Sequence, residues 1–294
     1  MEISAAVVKE LRERTGAGMM DCKKALRESG GDIDGAIEAM RKSGVAKAEK
    51  KAGRIAAEGV ILHREYAEGK GGLLVDVNCE TDFVGKDENF LRFANGAADT
   101  AQKSGSKDSD ALGAQVMLDG SGSVDEARKH LVAKLGENIS VRRIARLDSS
   151  GGRVSAYIHS GRIGVLVDMH GGDAELARDI AMHIAASKPV CVTEQDLPAD
   201  LIAKEREIYR AQASESGKPA DIIEKMVNGR VAKFVNEATL LGQPFVKDTD
   251  TTVGKLLKFR SASVAAFLRI EVGEGIEKKV GNFAEEVMAQ ARGT

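Results

Sequence analysis

The residues best suited to chemistry lie in one short polar stretch, residues 78–87, which reads NCETDFVGKD. It follows a strand-like apolar run at 73–77 and precedes a segment whose apolar residues, beginning at Phe90, have helical spacing. The stretch therefore forms a strand-to-helix corner.

Two residues of this corner are suited to cap the following helix. Thr81 and Asp87 carry short side-chain oxygens, which accept the free N–H groups of a first helical turn. Capping does not require Asp82 followed by Phe83, which present a carboxylate and an aromatic ring if the corner is exposed. The residues alone leave two interpretations of Phe83 open: it contacts a partner, or it folds back onto the core as loop aromatics often do.

Arrangements typical of enzymes are missing from the sequence. Every Gly-Lys pair lacks the upstream glycine and the downstream Ser or Thr of a phosphate-binding loop. The glycines at 16–18 match only the start of a dinucleotide fingerprint, and no strand precedes them. The five histidines show no zinc spacing, and the three cysteines are far apart, so we expect reduced thiols and no metal. We predict no catalytic residues and no cofactor; His159, beside a turn, is a candidate surface contact.

Composition narrows the class of protein further. The chain of 294 residues is 43% hydrophobic and 30% charged, as in ordinary globular proteins, and its length suggests two or more packed units. A formal net charge of −2 gives no general attraction to nucleic acid or anionic membrane. No apolar run approaches the roughly 20 residues that span a bilayer. We therefore expect a cytoplasmic protein that binds neither membrane nor nucleic acid directly.

The first 54 residues predict a small helical docking module. Apolar residues have helical spacing in three short segments, near 4–16, 19–29 and 33–40. Met19 and Met20 begin the second helix; they either meet a partner surface or cap the bundle core. Residues 41–54 are strongly basic, which is typical of a solvated spacer and less often of a contact to an acidic partner.

An internal echo organises the body of the chain. The run at 72–77, GLLVDV, returns 92 residues later as GVLVDM at 164–169. Each copy is preceded by another strand-like run and followed by a helical pattern. This repetition predicts two related hairpin-plus-helix subdomains, each a small antiparallel sheet covered on one face.

The remaining patterns complete a prediction of the α+β class. Residues 104–122 suggest an exposed loop, 123–126 a capping box, and 198–237 a helical hairpin whose helices either bury each other or pair with a partner helix. A last helix is expected from Asn282, with Phe283, Val287 and Met288 on one face. The predicted units are the module and linker at 1–54, the subdomains at 55–146 and 147–274, and a C-terminal helical module at 275–294.

Four motifs of this chain resemble those of bacterial elongation factor Ts. They are TGAGMMDCKKAL at 15–26, NCETDFV at 78–84, SKP at 187–189 and VGEGIE at 272–277. The likeness runs from the first predicted helix to the last. The family more often carries Gln and Ala where this chain has Glu80 and Gly85, which leaves the local charge of the corner open.

The resemblance implies a translation factor without chemistry of its own, which releases GDP from elongation factor Tu so that GTP can enter. It implies that Thr81, Asp82, Phe83 and Val84 intrude beside the partner's magnesium and phosphate site. It further implies docking through the N-terminal module, where Met19, Met20 and Lys23 lie, through the hairpin that carries His159, and through the C-terminal helix. The hairpin at 198–237 is similar to the family's dimerisation arm, which makes it a candidate homodimer contact.

Two other classes of function stay open on the residues alone. The N-terminal bundle resembles ubiquitin-associated modules, so the chain is also consistent with a helical adaptor. The basic segment 41–54 is consistent with a nucleic-acid binder, which would show a steep salt dependence. An enzyme is the least favoured class, because the sequence contains no catalytic arrangement.

Overall fold

A computed structural model of the chain describes residues 3–277. The C-terminal helix predicted from Asn282 lies outside the described residues. The described helices are α1 (Ala5–Thr15), α2 (Met19–Glu28), α3 (Ile33–Lys51), α4 (Glu88–Ser104), α5 (Ser109–Gly113), α6 (Val124–Leu135), α7 (Ala174–Ser187), α8 (Ala199–Ser214), α9 (Ala220–Ala238) and α10 (Val253–Phe259). The described strands are β1 (Glu58–Tyr66), β2 (Gly71–Cys79), β3 (Ile139–Asp148), β4 (Arg153–His159), β5 (Ile163–His170), β6 (Pro244–Phe245), β7 (Asp248–Thr252) and β8 (Ser263–Glu271).

The N-terminal bundle forms as its sequence predicts. Ser4 caps α1 by accepting the N–H of Val7, and Gly16 ends the helix in the left-handed conformation. Leu11 and Leu26 are completely buried between the helices. The bundle is therefore closed by its own small core.

The basic segment after this bundle is not a spacer, because residues 41–51 continue α3. Gly44 and Ala48 lie four residues apart on one face of the helix and are buried against α6. A methyl group on Gly44 would lie 3.4 Å from Cβ of Ala133, so the two helices approach closely at this point. The prediction of a solvated spacer was wrong. Glycine and alanine make the contact between α3 and α6, and such small residues give no apolar pattern in the sequence.

Two three-stranded antiparallel sheets form the body, with strand orders β1-β2-β3 and β4-β5-β8. The echoed runs are the central strands β2 and β5. Each sheet shifts register immediately after the echoed aspartate, between Asp76 and Val77 in one and between Asp168 and Met169 in the other. The predicted repeat of two hairpin-plus-helix subdomains is thus confirmed. The two copies also share a β-bulge, which was not predicted.

Both central strands are buried on two sides. On β2, Leu73 and Val75 face the helices α4 and α6, whereas Leu74 faces the other sheet. On β5, Leu166 packs into the same contact between the sheets. Each sheet was expected to be covered on one face; in the structure the remaining faces cover each other. This explains why the strand runs are apolar throughout instead of alternating.

Parts of the body depart from the sequence prediction. Residues 104–122, expected to form an exposed loop, include α5 and bury Leu112 and Met117 in the core of the first subdomain. The short hairpin of β6 and β7 and the helix α10 were not predicted. The capping box of Ser123 and Glu126 and the inserted hairpin of α8 and α9 were predicted and are confirmed.

None of the helices described for residues 3–277 combines the length and the apolar character needed to cross a bilayer.

Candidate partner-contact site

The corner after β2 presents Asp82 and Phe83 outward. The Phe83 side chain is 80% exposed, so it does not fold back onto the core. Asp82 is also exposed, whereas Thr81 and Val84 are half-buried and Val84 packs against the core beneath α4. Of the two interpretations of Phe83, the structure favours a contact residue.

The carboxylate of Asp82 forms an ion pair with a lysine. Its Oδ2 atom accepts a hydrogen bond from Lys86 Nζ at 2.8 Å across one turn. That hydrogen bond and the charge of Lys86 lower the pKa of Asp82. The tip therefore carries an ionised carboxylate, and the exposed ion pair holds it only weakly.

Thr81 anchors the corner from below. The Glu137 carboxylate accepts both the N–H of Thr81, at 3.0 Å, and its hydroxyl proton, at 2.6 Å. The Thr81 hydroxyl in turn accepts the N–H of Val84 at 3.3 Å. The cap of α4 is Asp87, which accepts from Asn89 and Phe90. Thr81 thus closes the short turn and does not cap α4.

The inner side of the corner is polar and carries a neutral thiol and the carboxylate of Glu80. The Cys79 thiol donates to the carbonyl of Thr81 at 3.1 Å, and burial raises the pKa of this thiol to about 12. The Glu80 side chain also lies on the inner side of the corner. Its carboxylate accepts the N–H of Asn138 at 2.6 Å and lies 3.5 Å from Arg54. Glu80 therefore adds its charge beneath the corner, not at the tip.

Three of the predicted contact residues lie on α2. Met19 and Met20 are 59% and 75% exposed, so they do not cap the bundle core. Lys23 lies one turn further along and is half-buried. Two exposed thioethers beside a lysine form an adaptable apolar surface with a positive edge.

The N-terminal module lies close to the corner. A methyl group on Gly16 would lie 2.9 Å from Lys134 Nζ, and that ammonium donates to Asn89 at 2.7 Å in the first turn of α4. Since Asp87 and the corner immediately precede that turn, the methionines and the corner belong to neighbouring parts of the surface.

His159 lies at the exposed end of β4, where its Nδ1 atom is 3.1 Å from the hydroxyl of Tyr157. In the same turn, Arg162 forms a 2.5 Å ion pair with Glu58. Glu58 pairs with Cys79 in the sheet, so this turn lies at the end of the body that carries the corner. Within residues 3–277, the structure thus brings the start of α2, the corner and the turn after His159 to neighbouring positions.

Most of the basic residues near the end of α3 have acceptors within the chain. These partners balance part of the positive charge of the segment, which weakens the case for nucleic-acid binding. The pairs are Lys42 with Glu38, Lys47 with Asp21, Lys51 with the carbonyl of Gly136, and Arg54 with Glu80.

Across residues 3–277, no group of three or more His, Cys, Asp or Glu side chains is placed to hold a metal ion.

Sequence reasoning missed Glu137 and Asn138, the residues that hold the corner. They follow Gly136, the C-cap of α6, and precede β3. Glu137 is 56 residues from Thr81, and no periodicity links such distant residues. The only signal was a pair of polar residues in a short loop, and that pattern is common.

The chain is similar along its full length to known proteins. The family model described as Elongation factor TS matches residues 80–274. The chain is 60% identical over 292 residues to Elongation factor Ts of Methylococcus capsulatus, covering 99% of each chain. It is 62% identical over 294 residues to that of Thioalkalivibrio sulfidiphilus, covering all of both chains, and 57% identical over 293 residues to that of Xanthomonas campestris, covering 99% of each.

An α+β protein with these matches is a translation elongation factor. Its full-length similarity to several bacterial proteins of one name is well above what a shared fold alone produces. The chain belongs to the elongation factor Ts family, so the resemblance stated from its sequence is confirmed.

Proposed function

We propose that this protein is the guanine-nucleotide exchange factor of elongation factor Tu. It binds the GDP form of that GTPase, promotes release of GDP and allows GTP to enter, and it contributes no bond-making step of its own. The observation that carries the proposal is the corner, where an ionised carboxylate and an exposed aromatic ring stand on an anchored base.

The chemistry of the two tip residues suits this role. Magnesium requires nearly octahedral oxygen ligation and is the largest local charge at a nucleotide phosphate, so disturbing its ligands weakens the hold on GDP. Asp82 supplies an oxygen that competes in or near that shell. Phe83 supplies a rigid apolar wedge, whose full burial contributes about 2–3 kcal/mol.

Thermodynamic linkage separates affinity from exchange. A factor that lowers the affinity of its partner for GDP must bind the empty GTPase more tightly than the loaded one by the same ratio. Equal binding to both states would shift nothing. We assign this difference to Asp82 and Phe83, and we assign general affinity to Met19, Met20, Lys23 and His159.

Replacing Phe83 tests the proposal, and the chain offers a matched control. Phe259, at the end of α10 in the second subdomain, is 85% exposed and lies beside the Arg260–Asp173 ion pair. We expect Phe83→Ala to slow the maximal release of a fluorescent GDP analogue about tenfold to a hundredfold. Phe259→Ala should leave release unchanged. Equal effects of the two variants, or proportional losses of rate and affinity in Phe83→Ala, would contradict the proposal.

The carboxylate is tested by comparing Asp82→Ala and Asp82→Asn across a range of magnesium concentrations. Both variants should reduce maximal exchange more than binding. Asparagine keeps an oxygen but not the charge, so it should retain part of the rate if a hydrogen bond to the partner suffices. Wild-type rates in both variants would remove Asp82 from the mechanism.

We also propose that the hairpin of α8 and α9 can pair with a second copy of the chain. Its two helices bury Val227 and Val231 between them, and this occupies the inner seam. Ile208 and Ile222 remain about 40% exposed on its outer surface. Sedimentation of the full chain and of Ile208→Lys tests this: a monomer at all concentrations would exclude the pairing.

A further inference from the structure

Glu137 lies directly under the corner and holds it with both carboxylate oxygens. Oε1 accepts the hydroxyl proton of Thr81 at 2.6 Å, and Oε2 accepts the backbone N–H of the same residue at 3.0 Å. A charged acceptor that takes two donors from one residue fixes both the backbone and the side chain of that residue.

Thr81 passes this constraint on to the tip. Because the hydroxyl proton points to Glu137, the lone pairs of the hydroxyl are free for the N–H of Val84 at 3.3 Å. The carbonyl of Thr81 accepts the N–H of Gly85 at 3.2 Å. Asp82 and Phe83 thus lie in a short turn that is closed by two hydrogen bonds to Thr81, one to its hydroxyl and one to its carbonyl.

The loop that carries Glu137 is itself fixed on two sides. The N–H of Asn138 donates to Glu80 at 2.6 Å. Its side-chain amide donates to the carbonyls of Arg54, at 2.8 Å, and of Ala52, at 3.3 Å. Asn138 is buried, so these bonds are shielded from water. Glu137 therefore stands on a rigid support.

We propose that Glu137 is a positioning residue for nucleotide exchange: by clamping Thr81, it holds Asp82 and Phe83 in the outward arrangement that enters the partner. This inference rests on the proposed function. A tip that is already ordered gives up less conformational freedom when it is inserted, so its contacts are available for displacing the nucleotide. Glu137 stays on the inner side of the corner and acts through Thr81.

The chain contains a matched control for this clamp. At the start of α6, Glu126 accepts both the N–H of Ser123, at 2.8 Å, and its hydroxyl, at 3.1 Å. The two donors are of the same kinds as those of Thr81, but both bonds go to one oxygen, Oε2, and the pair caps a helix instead of holding an exposed tip. Glu126→Gln and Glu137→Gln therefore make the same chemical change at opposite ends of one helix, but only the change at position 137 must break one of the two hydrogen bonds.

The experiment measures release of a fluorescent GDP analogue from elongation factor Tu over a range of concentrations of each full-length variant. Glutamine at position 137 can accept only one of the two donors and turns an N–H group towards the other. We expect Glu137→Gln to lower the maximal rate about tenfold, with the half-saturating concentration changed by no more than about twofold. Glu126→Gln should match wild type in both values.

Substitution of Thr81 separates positioning from general stability. Thr81→Ser keeps both donors and should slow release less than Thr81→Val, which loses the hydroxyl and should reproduce the effect of Glu137→Gln. The double variant Thr81→Val, Glu137→Gln should be no slower than the slower single variant, since both changes break one clamp. Additive losses would overturn the proposal, and so would an equal slowing in Glu126→Gln.

A second measurement tests the clamp without the partner. The chain contains no tryptophan, so Phe83→Trp places a single tryptophan at the tip, which can be excited at a longer wavelength than the three tyrosines. In that background, Glu137→Gln should lower the fluorescence anisotropy and Glu126→Gln should not. Unchanged anisotropy would overturn the clamp, and changed anisotropy with unchanged exchange would overturn its role in positioning. Failure of the wild-type protein to release GDP would instead overturn the proposed function.

Discussion

Thr81 and Phe83 are two residues apart, yet their surroundings are opposite. Thr81 is held by Glu137 through two hydrogen bonds, whereas Phe83 is 80% exposed. Phe83, which we assign to the partner's site, thus contributes little to the stability of the fold. Thr81, which fixes the turn, lies on the inner side of the corner. Substitutions at the tip should therefore change exchange while leaving the free energy of unfolding almost unchanged.

Gly85 gives a prediction at the residue scale. A methyl group there would lie 3.7 Å from the sulfur of Cys79 and 3.8 Å from the backbone of Gly59, which are ordinary contact distances. Gly85→Ala should therefore stabilise the protein by about 0.4–1 kcal/mol, because alanine restricts the unfolded chain. Urea denaturation measures this change.

The control for this prediction is Gly59→Ala, in β1. Gly59 has a φ of 141°, and an added methyl group would lie 2.1 Å from the carbonyl oxygen of Val77. This variant should be strongly destabilised. Destabilisation of Gly85→Ala as well would show that the short turn after Phe83 needs the freedom of glycine.

At the scale of elements, the contact between the two sheets depends on small residues at equivalent places in the repeat. A methyl group on Gly164 would lie 2.6 Å from Cγ2 of Ile61, whereas one on Gly72 would lie 3.0 Å from Cδ2 of Leu166. Gly164→Ala should therefore cost about 1–3 kcal/mol in the free energy of unfolding, and Gly72→Ala should cost less.

Gly229 provides the opposite case for the same measurement. It lies in α9, and nothing is within 4 Å of an added methyl group. Gly229→Ala should stabilise the protein by about 0.5–1 kcal/mol through helix propensity. An equal effect of all three substitutions would show that packing between the sheets does not limit residue size.

A buried histidine joins α7 to the elements that follow the inserted hairpin. Nδ1 of His183 accepts the N–H of Val246 at 3.3 Å, so the proton lies on Nε2 and is donated to the side-chain oxygen of Gln243 at 2.9 Å. The Gln243 amide donates to the carbonyls of Ser187 and Glu237, at the ends of α7 and α9. These bonds require a neutral imidazole.

Stability should therefore fall in acid because of His183. Burial lowers the pKa of His183, so the unfolded chain, with a pKa of about 6.5, binds the proton more readily. The contribution is complete above about pH 6.5 and is lost as pH falls below that value. Burial also lowers the pKa of His63 and that of His130, so both residues contribute to the same loss of stability in acid.

Urea midpoints at about pH 7.5 and about pH 5.5 test this prediction. His183→Asn keeps an acceptor for Val246 but cannot be protonated, so its midpoint should fall less between the two pH values than that of wild type. His159→Asn, at the exposed end of β4, should show the full wild-type fall. Identical falls in all three proteins would exclude His183 as the source.

How much of these elements could be predicted depends on the range of the interaction. The echoed strands were predictable because β2 and β5 are continuous apolar runs between turns. The continuation of α3 was not, because its contact with α6 uses Gly44 and Ala48, whose small side chains give no apolar pattern. The corner was found from its residue types, but its clamp was not, since Glu137 and Thr81 meet only after folding.

At the scale of the whole molecule, α3 connects the exposed methionines to the base of the corner. Its first half belongs to the N-terminal bundle, and in its second half Ala48 lies in the core of the first subdomain. Just beyond its end, the carbonyls of Ala52 and Arg54 bind Asn138, whose neighbour Glu137 holds Thr81. The proposed docking residues on α2 and the corner are therefore connected through one continuous helix.

Two truncations separate these functions. Removing residues 1–40 deletes the predicted docking residues on α2 but keeps Gly44, Ala48 and the acceptors of Asn138. We expect weaker binding to elongation factor Tu, an unchanged maximal rate of GDP release and a urea midpoint near that of the full chain. Removing residues 1–54 also takes Ala48 from the core and leaves the buried amide of Asn138 without its acceptors, which costs about 1–3 kcal/mol.

The longer truncation should thus lose both stability and maximal exchange, although the two truncations lack the same methionines. Titration of GDP release and urea denaturation of both proteins distinguish the contributions. Equal midpoints would show that residues 41–54 are no part of the body. Loss of exchange at saturation in the shorter truncation would instead make the N-terminal bundle part of the exchange step, because affinity alone can be overcome by concentration.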